Sequence, residues 1–141
     1  MAFSKEDRDA DRTDAAALAE IYNQGIEDRV ATFETELRSA QDRCAWLQSI
    51  AGRYPAVVAA TPEQVVGWAG AGPYRSRECY RGIGEFSVYV RREWRGLRVG
   101  DLLLPALIAE SERLGLWKLL SRIFLFNEAS RALCRKHGFR E

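Results

Sequence analysis

Residues 84–90 alternate without a break, with Phe86, Val88 and Val90 on one side and Glu85, Ser87 and Tyr89 on the other. A period of two marks a strand with two unlike faces. Soon afterwards Arg95-Gly96-Leu97-Arg98-Val99-Gly100 leads into residues 101–114. There Leu103, Leu104, Leu107, Ile108 and Leu114 form an apolar helical stripe that stops before Gly115. This succession of strand, basic glycine-bearing turn and helix is the most constraining pattern in the chain. Glycine permits a tight turn, and the first N–H groups of a helix have no partners within it, so the unit is suited to hold a phosphate. The same pattern also serves as a plain connection. Two other phosphate loops are excluded. There is no GxxxxGKS or GxxxxGKT, and no GxGxxG followed by an acidic residue about 20 positions later.

The remaining periodicities surround this unit. Thr13 is placed to cap a helix over 13–23, in which Ala17, Leu18, Ile21 and Tyr22 share a face, and Ser39 to cap a second one that presents Cys44, Leu47 and Ile50 before Gly52. Residues 54–60 and 64–71 read as two strands of a hairpin around Thr61-Pro62-Glu63. Residues 117–124 read as a further strand, and 128–137 as a helix stopped by Gly138 with Phe139 beyond it. The order α, α, β, β, β, α, β, α describes one α/β domain over 13–141 behind a polar, disordered start over 1–12.

At 141 residues the chain has room for one core and needs no staple. Cys44, Cys79 and Cys134 are odd in number and lack a CxxC, which argues against a disulfide frame or a zinc site and for a cytoplasmic location. The charged start is no signal peptide, and no apolar run reaches a membrane span, so no membrane partner is expected. A formal net charge of +1 gives no general field for nucleic acid. Arg91, Arg92, Arg95 and Arg98 cluster without the interleaved aromatics of a nucleic-acid surface, and phosphates of a small cofactor explain them better. His137 is given no catalytic part, and Trp46, Trp68, Trp94 and Trp117 are expected to pack.

The turn RGxxVG before a helix, followed by SRIF and then NEASRALCRKHGF, resembles the acetyl-coenzyme A core of the GCN5-related N-acetyltransferase (GNAT) superfamily. IYNQGIEDRVATFET, AGPYRSRECY and EFSVYV are similar to the phosphinothricin N-acetyltransferases, and especially to their arsinothricin branch, so that the resemblance spans roughly residues 15–141. It implies a mixed, mostly antiparallel sheet flanked by helices, in which strand 84–90 splays from strand 117–124. It further implies acetyl-CoA as cosubstrate, no metal, a small-molecule amine as acceptor, and a part in antibiotic or herbicide resistance through acetylation of an amino acid such as phosphinothricin or arsinothricin by direct attack.

Residue by residue, the resemblance makes Glu85 the general base. It gives Val88, Tyr89 and Val90 backbone contacts to the pantetheine arm, with an N–H among them facing the oxyanion. Arg95, Gly96, Leu97, Arg98, Val99, Gly100 and Asp101 would cradle the pyrophosphate, while Asn127 and Ser130 would reach the arm from the last helix. Thr32, Phe33, Tyr74, Arg75 and Arg77 would recognise the acceptor. Asn127 alone also reads as a helix cap, and Cys134 stands where many members have a proton-donating tyrosine. Another small amine as acceptor, or a non-catalytic coenzyme A module, remain the other readings of the same residues.

Four departures from the family pattern carry expectations of their own. The segment KEDRDADRTD lacks the apolar alternation of a first strand, which is expected to be absent. Arg98 stands in place of a glycine, and Pro105 falls where a helix should already run, at a cost of roughly 3 kcal/mol. The sequence stops at Glu141 where relatives continue with two more strands, so the edge of strand 117–124 is expected to be open and to favour a homodimer.

Overall fold

The computed structural model describes residues 6–28, 36–74, 82–123 and 127–141. Its strands are β1 (Glu6–Asp9), β2 (Ala56–Ala60), β3 (Val65–Pro73), β4 (Ile83–Val90) and β5 (Lys118–Leu120), and its helices are α1 (Ala15–Asp28), α2 (Ala40–Ile50), α3 (Val99–Arg113) and α4 (Glu128–Lys136). The strands form one sheet in the order β1-β2-β3-β4-β5, antiparallel except for the parallel β4–β5 pair. This is the mixed sheet that the resemblance implied.

Alternation along the strands divides the core in two. Val57, Ala59, Val66, Ala69 and Phe86 pack against Val99, Leu103, Leu104 and Leu107 of α3. On the opposite face Val58, Val65, Trp68 and Tyr89 pack against Leu18, Ile21 and Tyr22 of α1 and Leu47 of α2. Burying such side chains is worth about 1.5–3 kcal/mol each, and here it holds helices to both faces of the strand that carries Glu85.

The polar start does form a strand. β1 pairs antiparallel with β2, from Glu6 opposite Ala60 to Asp9 opposite Val57. Backbone pairing needs no apolar side chains at a sheet edge, and charged side chains there discourage further pairing. Arg8 anchors the segment by two hydrogen bonds to Asp14, at 2.8 and 2.9 Å. The cap of the first helical segment is Asp11 rather than Thr13: its Oδ1 accepts the Thr13 N–H, and Asp14 Oδ2 accepts the Asp11 N–H. A 3-10 turn over Arg12–Asp14 then passes into α1, which continues beyond Asn23 to Asp28. At α2 the cap is Ser39, whose Oγ accepts the Asp42 N–H.

Pro105 neither delays nor ends α3, which starts at Val99, two residues before the expected position. The ring lies on the exposed side of the helix, where water can satisfy the carbonyl left without a donor. β5 is shorter than expected, and Trp117 is 71% exposed rather than packed. No helix among the described residues is long and apolar enough to cross a membrane.

Candidate active site

Pairing between β4 and β5 runs from Ile83–Lys118 to Glu85–Leu120 and goes no further among the described residues, while β4 itself continues to Val90. The strands therefore part beyond Glu85. Ser121 Oγ donates to the Phe86 carbonyl at 2.8 Å just past the last pair. On its other side β4 stays paired with β3 through Val90 opposite Gly67, and the Arg91 N–H donates to the Val66 carbonyl at 2.8 Å. Antiparallel strands turn the backbone groups of successive residues to opposite sides. The groups of Val88 and Val90 accordingly face the opening.

A cleft of about 520 Å³ lies along this opening and α3. Val88, Val90, Arg95, Gly96, Arg98, Val99, Gly100, Asp101, Asn127 and Ser130 all line it, so the structure gathers most of the residues singled out for the cofactor. Two of that set fall outside. The Tyr89 side chain is on the other face, its ring 5.3 Å from Tyr22 and 4.7 Å from Trp68, and Leu97 is 52% exposed beyond the lining. The strand period explains the first: side chains and outward backbone groups of Val88 and Val90 cannot be shared by the residue between them.

The start of α3 opens onto this cleft. Arg98 has φ +65°, left-handed backbone that normally favours glycine, and it supplies no side-chain cap to α3. The first N–H groups of α3 are thus left for another acceptor. Gly67 in β3 lets the helix settle this low, because a Cβ there would lie 2.8 Å from Val99 Cγ1 and 3.0 Å from the Tyr89 carbonyl oxygen. Asn127 caps α4, its Oδ1 accepting the Ser130 N–H at 3.2 Å, and lines the cleft as well, so the cap and the cofactor reading coexist.

Most of the basic cluster is already engaged. Arg91 donates to Glu20 and to the Val65 carbonyl, Arg92 to Glu27 and Asp28, and Arg95 to Asp28 at 2.6 Å. These bonds tie the turn after β4 to α1, a structural duty that charge counting did not reveal. Hydrogen bonds from Arg92 first and Arg95 second hold the Asp28 carboxyl below its ordinary range. Across the cleft, Asp101 Oδ1 lies 2.8 Å from His137 Nε2 and 3.1 Å from Lys136 Nζ, which likewise lower the Asp101 pKa. His137 thus joins the ends of the two helices that wall the cleft.

Trp94, Leu133 and Lys136 also line this cleft, although their sequence positions gave no sign of it. Cys134 does not. It packs beside the core, and burial pushes its thiol pKa up, which suits packing better than proton donation. Among the described residues no group of three or more His, Cys, Asp or Glu side chains is placed to hold a metal.

A second cleft, of about 410 Å³, opens on the opposite face of β4. Glu85, Ser87 and Tyr89 supply one wall, with Gly70, Gly72 and Pro73 of β3 beside them, and Tyr22, Arg38, Arg43, Trp46, Trp68 and Arg122 complete it. Glu85 Oε2 accepts from Arg122 Nε at 3.0 Å. Tyr74 is described at the end of β3 but does not line the cleft, whereas Thr32, Phe33, Arg75 and Arg77 lie outside the described residues. One strand therefore presents outward backbone groups to the first cleft and an acid to the second.

Known proteins share this arrangement of the chain. The profile of the acetyltransferase (GNAT) family matches residues 17–139. An L-methionine sulfoximine/L-methionine sulfone acetyltransferase of Pseudomonas paraeruginosa is 36% identical over 94% of this chain and 78% of its own length. Phosphinothricin N-acetyltransferase of Streptomyces viridochromogenes is 33% identical over 95% of this chain and 73% of its own. The crystal structure of a GNAT superfamily phosphinothricin acetyltransferase from Sinorhizobium meliloti, in complex with acetyl-CoA, superposes with a TM-score of 0.89. It is 33% identical and covers 97% of this chain and 75% of that one.

Proposed function

The chain belongs to the acetyltransferase (GNAT) family of acetyl-CoA-dependent enzymes, and from that premise we propose that it acetylates the amino group of a small amino acid bearing at least one oxyanion, of the phosphinothricin, arsinothricin or methionine sulfoximine kind, with Glu85 as general base. The observation that carries this reading is the position of β4 between two clefts, with Glu85 facing one and the backbone of Val88 and Val90 the other.

Acetyl-CoA supplies the activated thioester. For its pyrophosphate the chain offers the uncapped N–H groups at the start of α3 and the Arg98 guanidinium beside them, while the open edge of β4 offers pairing groups for the arm. An amine attacks only as the free base, yet the α-amino group of a free amino acid is largely protonated at neutral pH. Glu85 takes up the proton, directly or through one water, and Arg122 fixes the carboxylate at the mouth of the cleft. The Val88 N–H faces the opening and is positioned to stabilise negative charge that builds on the acyl oxygen. Holding both reactants across one strand provides the rest.

On the acceptor side three arginines share two carboxylates, Glu85 with Arg122 and Asp42 with Arg38 and Arg43. Arg38, Arg43 and Arg122 line it beside Glu85, which favours an acceptor that brings its own negative charge. Thiol release from acetyl-CoA, measured with phosphinothricin, methionine sulfone and a neutral or polycationic amine, tests the reading. Turnover restricted to the amino acids supports it, and turnover only with the polycation refutes it. The free thiols Cys44 and Cys134 fit a reducing cytoplasm, and the exposed Trp117 beside edge strand β5 fits a homodimer, which light scattering would detect.

A further inference from the structure

Two residues that line the acceptor cleft, Trp68 and Arg43, carry hydrogen-bond donors left without a partner among the described residues. The Trp68 indole N–H is buried, in a residue only 3% exposed, and has no acceptor among the described residues. Arg43 is fixed from several sides: its guanidinium lies over the rings of Tyr22 and Trp46, at 5.4 and 5.2 Å, and its Nε and Nη2 both donate to Asp42 Oδ2. Its Nη1 makes no bond among the described residues. Trp46 contacts both residues, its ring 5.4 Å from that of Trp68 and under the Arg43 cation. Gly70 keeps that ring in place, since a Cβ there would lie 2.5 Å from Trp46 Cη2.

A buried donor without a partner costs about 1–3 kcal/mol, and an indole N–H can only donate. The ligand of this corner must bring acceptor atoms. A guanidinium held by aromatic stacking loses little further freedom on binding, and it prefers an oxyanion to a neutral carbonyl. Glu85, on the β4 wall of the same cleft, is of opposite charge and suits an amine. Resting on the acetyltransferase reading above, we propose that Arg43 and Trp68 hold an oxyanion of the acceptor amino acid, a carboxylate or phosphinate, and so turn its amine toward Glu85.

The test is calorimetric titration of the full chain with unacetylated coenzyme A present, so that no reaction occurs. The probes are phosphinothricin, its α-amide, which keeps only the phosphinate, and methionine sulfone, whose only anion is the carboxylate. Trp68→Phe keeps an aromatic side chain, smaller than the indole, and removes the N–H, and Arg43→Gln removes the charge. At least one anion is expected to bind wild type and to lose about 10-fold in affinity in Trp68→Phe and 10-fold or more in Arg43→Gln, with coenzyme A affinity unchanged. A loss confined to methionine sulfone and phosphinothricin identifies the carboxylate, and a loss confined to phosphinothricin and its amide identifies the phosphinate. Equal binding to wild type and Trp68→Phe, or no binding of any probe, overturns the proposal. Should Arg43→Gln fail to fold, Trp68→Phe decides alone. Absent thiol release with this binding pattern intact would refute the catalytic reading only.

Discussion

Arg95 Nη1 lies 2.6 Å from Asp28 Oδ2, and Arg92 Nε shares the same oxygen at 2.9 Å, so a single carboxylate at the end of α1 fastens the turn that precedes α3. Asp28→Asn is expected to loosen that turn, lower the melting temperature and weaken acetyl-CoA binding. The sign with pH follows from the lowered Asp28 pKa. The folded state binds this proton less readily than the unfolded chain, so the bridge stabilises fully above the ordinary value of 3.8 and is lost as pH falls through the lower folded value. The melting-temperature gap between wild type and variant should therefore close in acid. A gap that widens below that range contradicts the assignment.

Arg98 combines left-handed backbone with a place on the cofactor cleft. Arg98→Gly is expected to raise stability by up to about 1 kcal/mol, through relief of strain, while acetyl-CoA affinity falls and becomes less sensitive to salt. Denaturant unfolding and calorimetry on one sample check both signs. Equal or tighter cofactor binding in the variant would remove the guanidinium from the cradle.

The seat of α3 depends on the missing side chain at Gly67. A methyl group there meets a backbone oxygen as well as Val99, so relaxation is restricted. Gly67→Ala should cost about 1–3 kcal/mol and weaken cofactor binding together with it. Stability lost without any change in cofactor affinity would show that α3 is held in place by other contacts.

These residues also show where the sequence was informative. The β4 alternation and the apolar stripe of α3 were legible because both periods are imposed by burial on one face, and the glycine-bearing turn between them marked the start of α3, which lines the first cleft. β1 was not legible: an edge strand is held by backbone bonds, which leave no trace in side-chain pattern. Arg91, Arg92 and Arg95 read as phosphate ligands because their partners Glu20, Glu27 and Asp28 are remote in sequence. Arg43, Trp46 and Trp68 come together only when α2 crosses the sheet, so spacing alone could not join them. Asn127, by contrast, was readable as a cap from its place just before α4.

Cys134 packs beside the core, where its raised pKa keeps the thiol protonated. Cys134→Ala is expected to reduce turnover less than about 10-fold, since proton donation in the transition state would be worth about 10²-fold or more. Steady-state rates at saturating substrates distinguish the two.

β4 presents Glu85 on one face and the backbone groups of Val88 and Val90 along its open edge, the proposed base and the proposed pairing groups for the cofactor. The most direct measurement compares thiol release by wild type and Glu85→Gln at saturating acetyl-CoA and acceptor, alongside calorimetric affinity for acetyl-CoA. Glu85→Gln is expected to lose about 10²-fold or more in turnover while cofactor affinity stays within about 2-fold of wild type. Undiminished turnover in Glu85→Gln would contradict it.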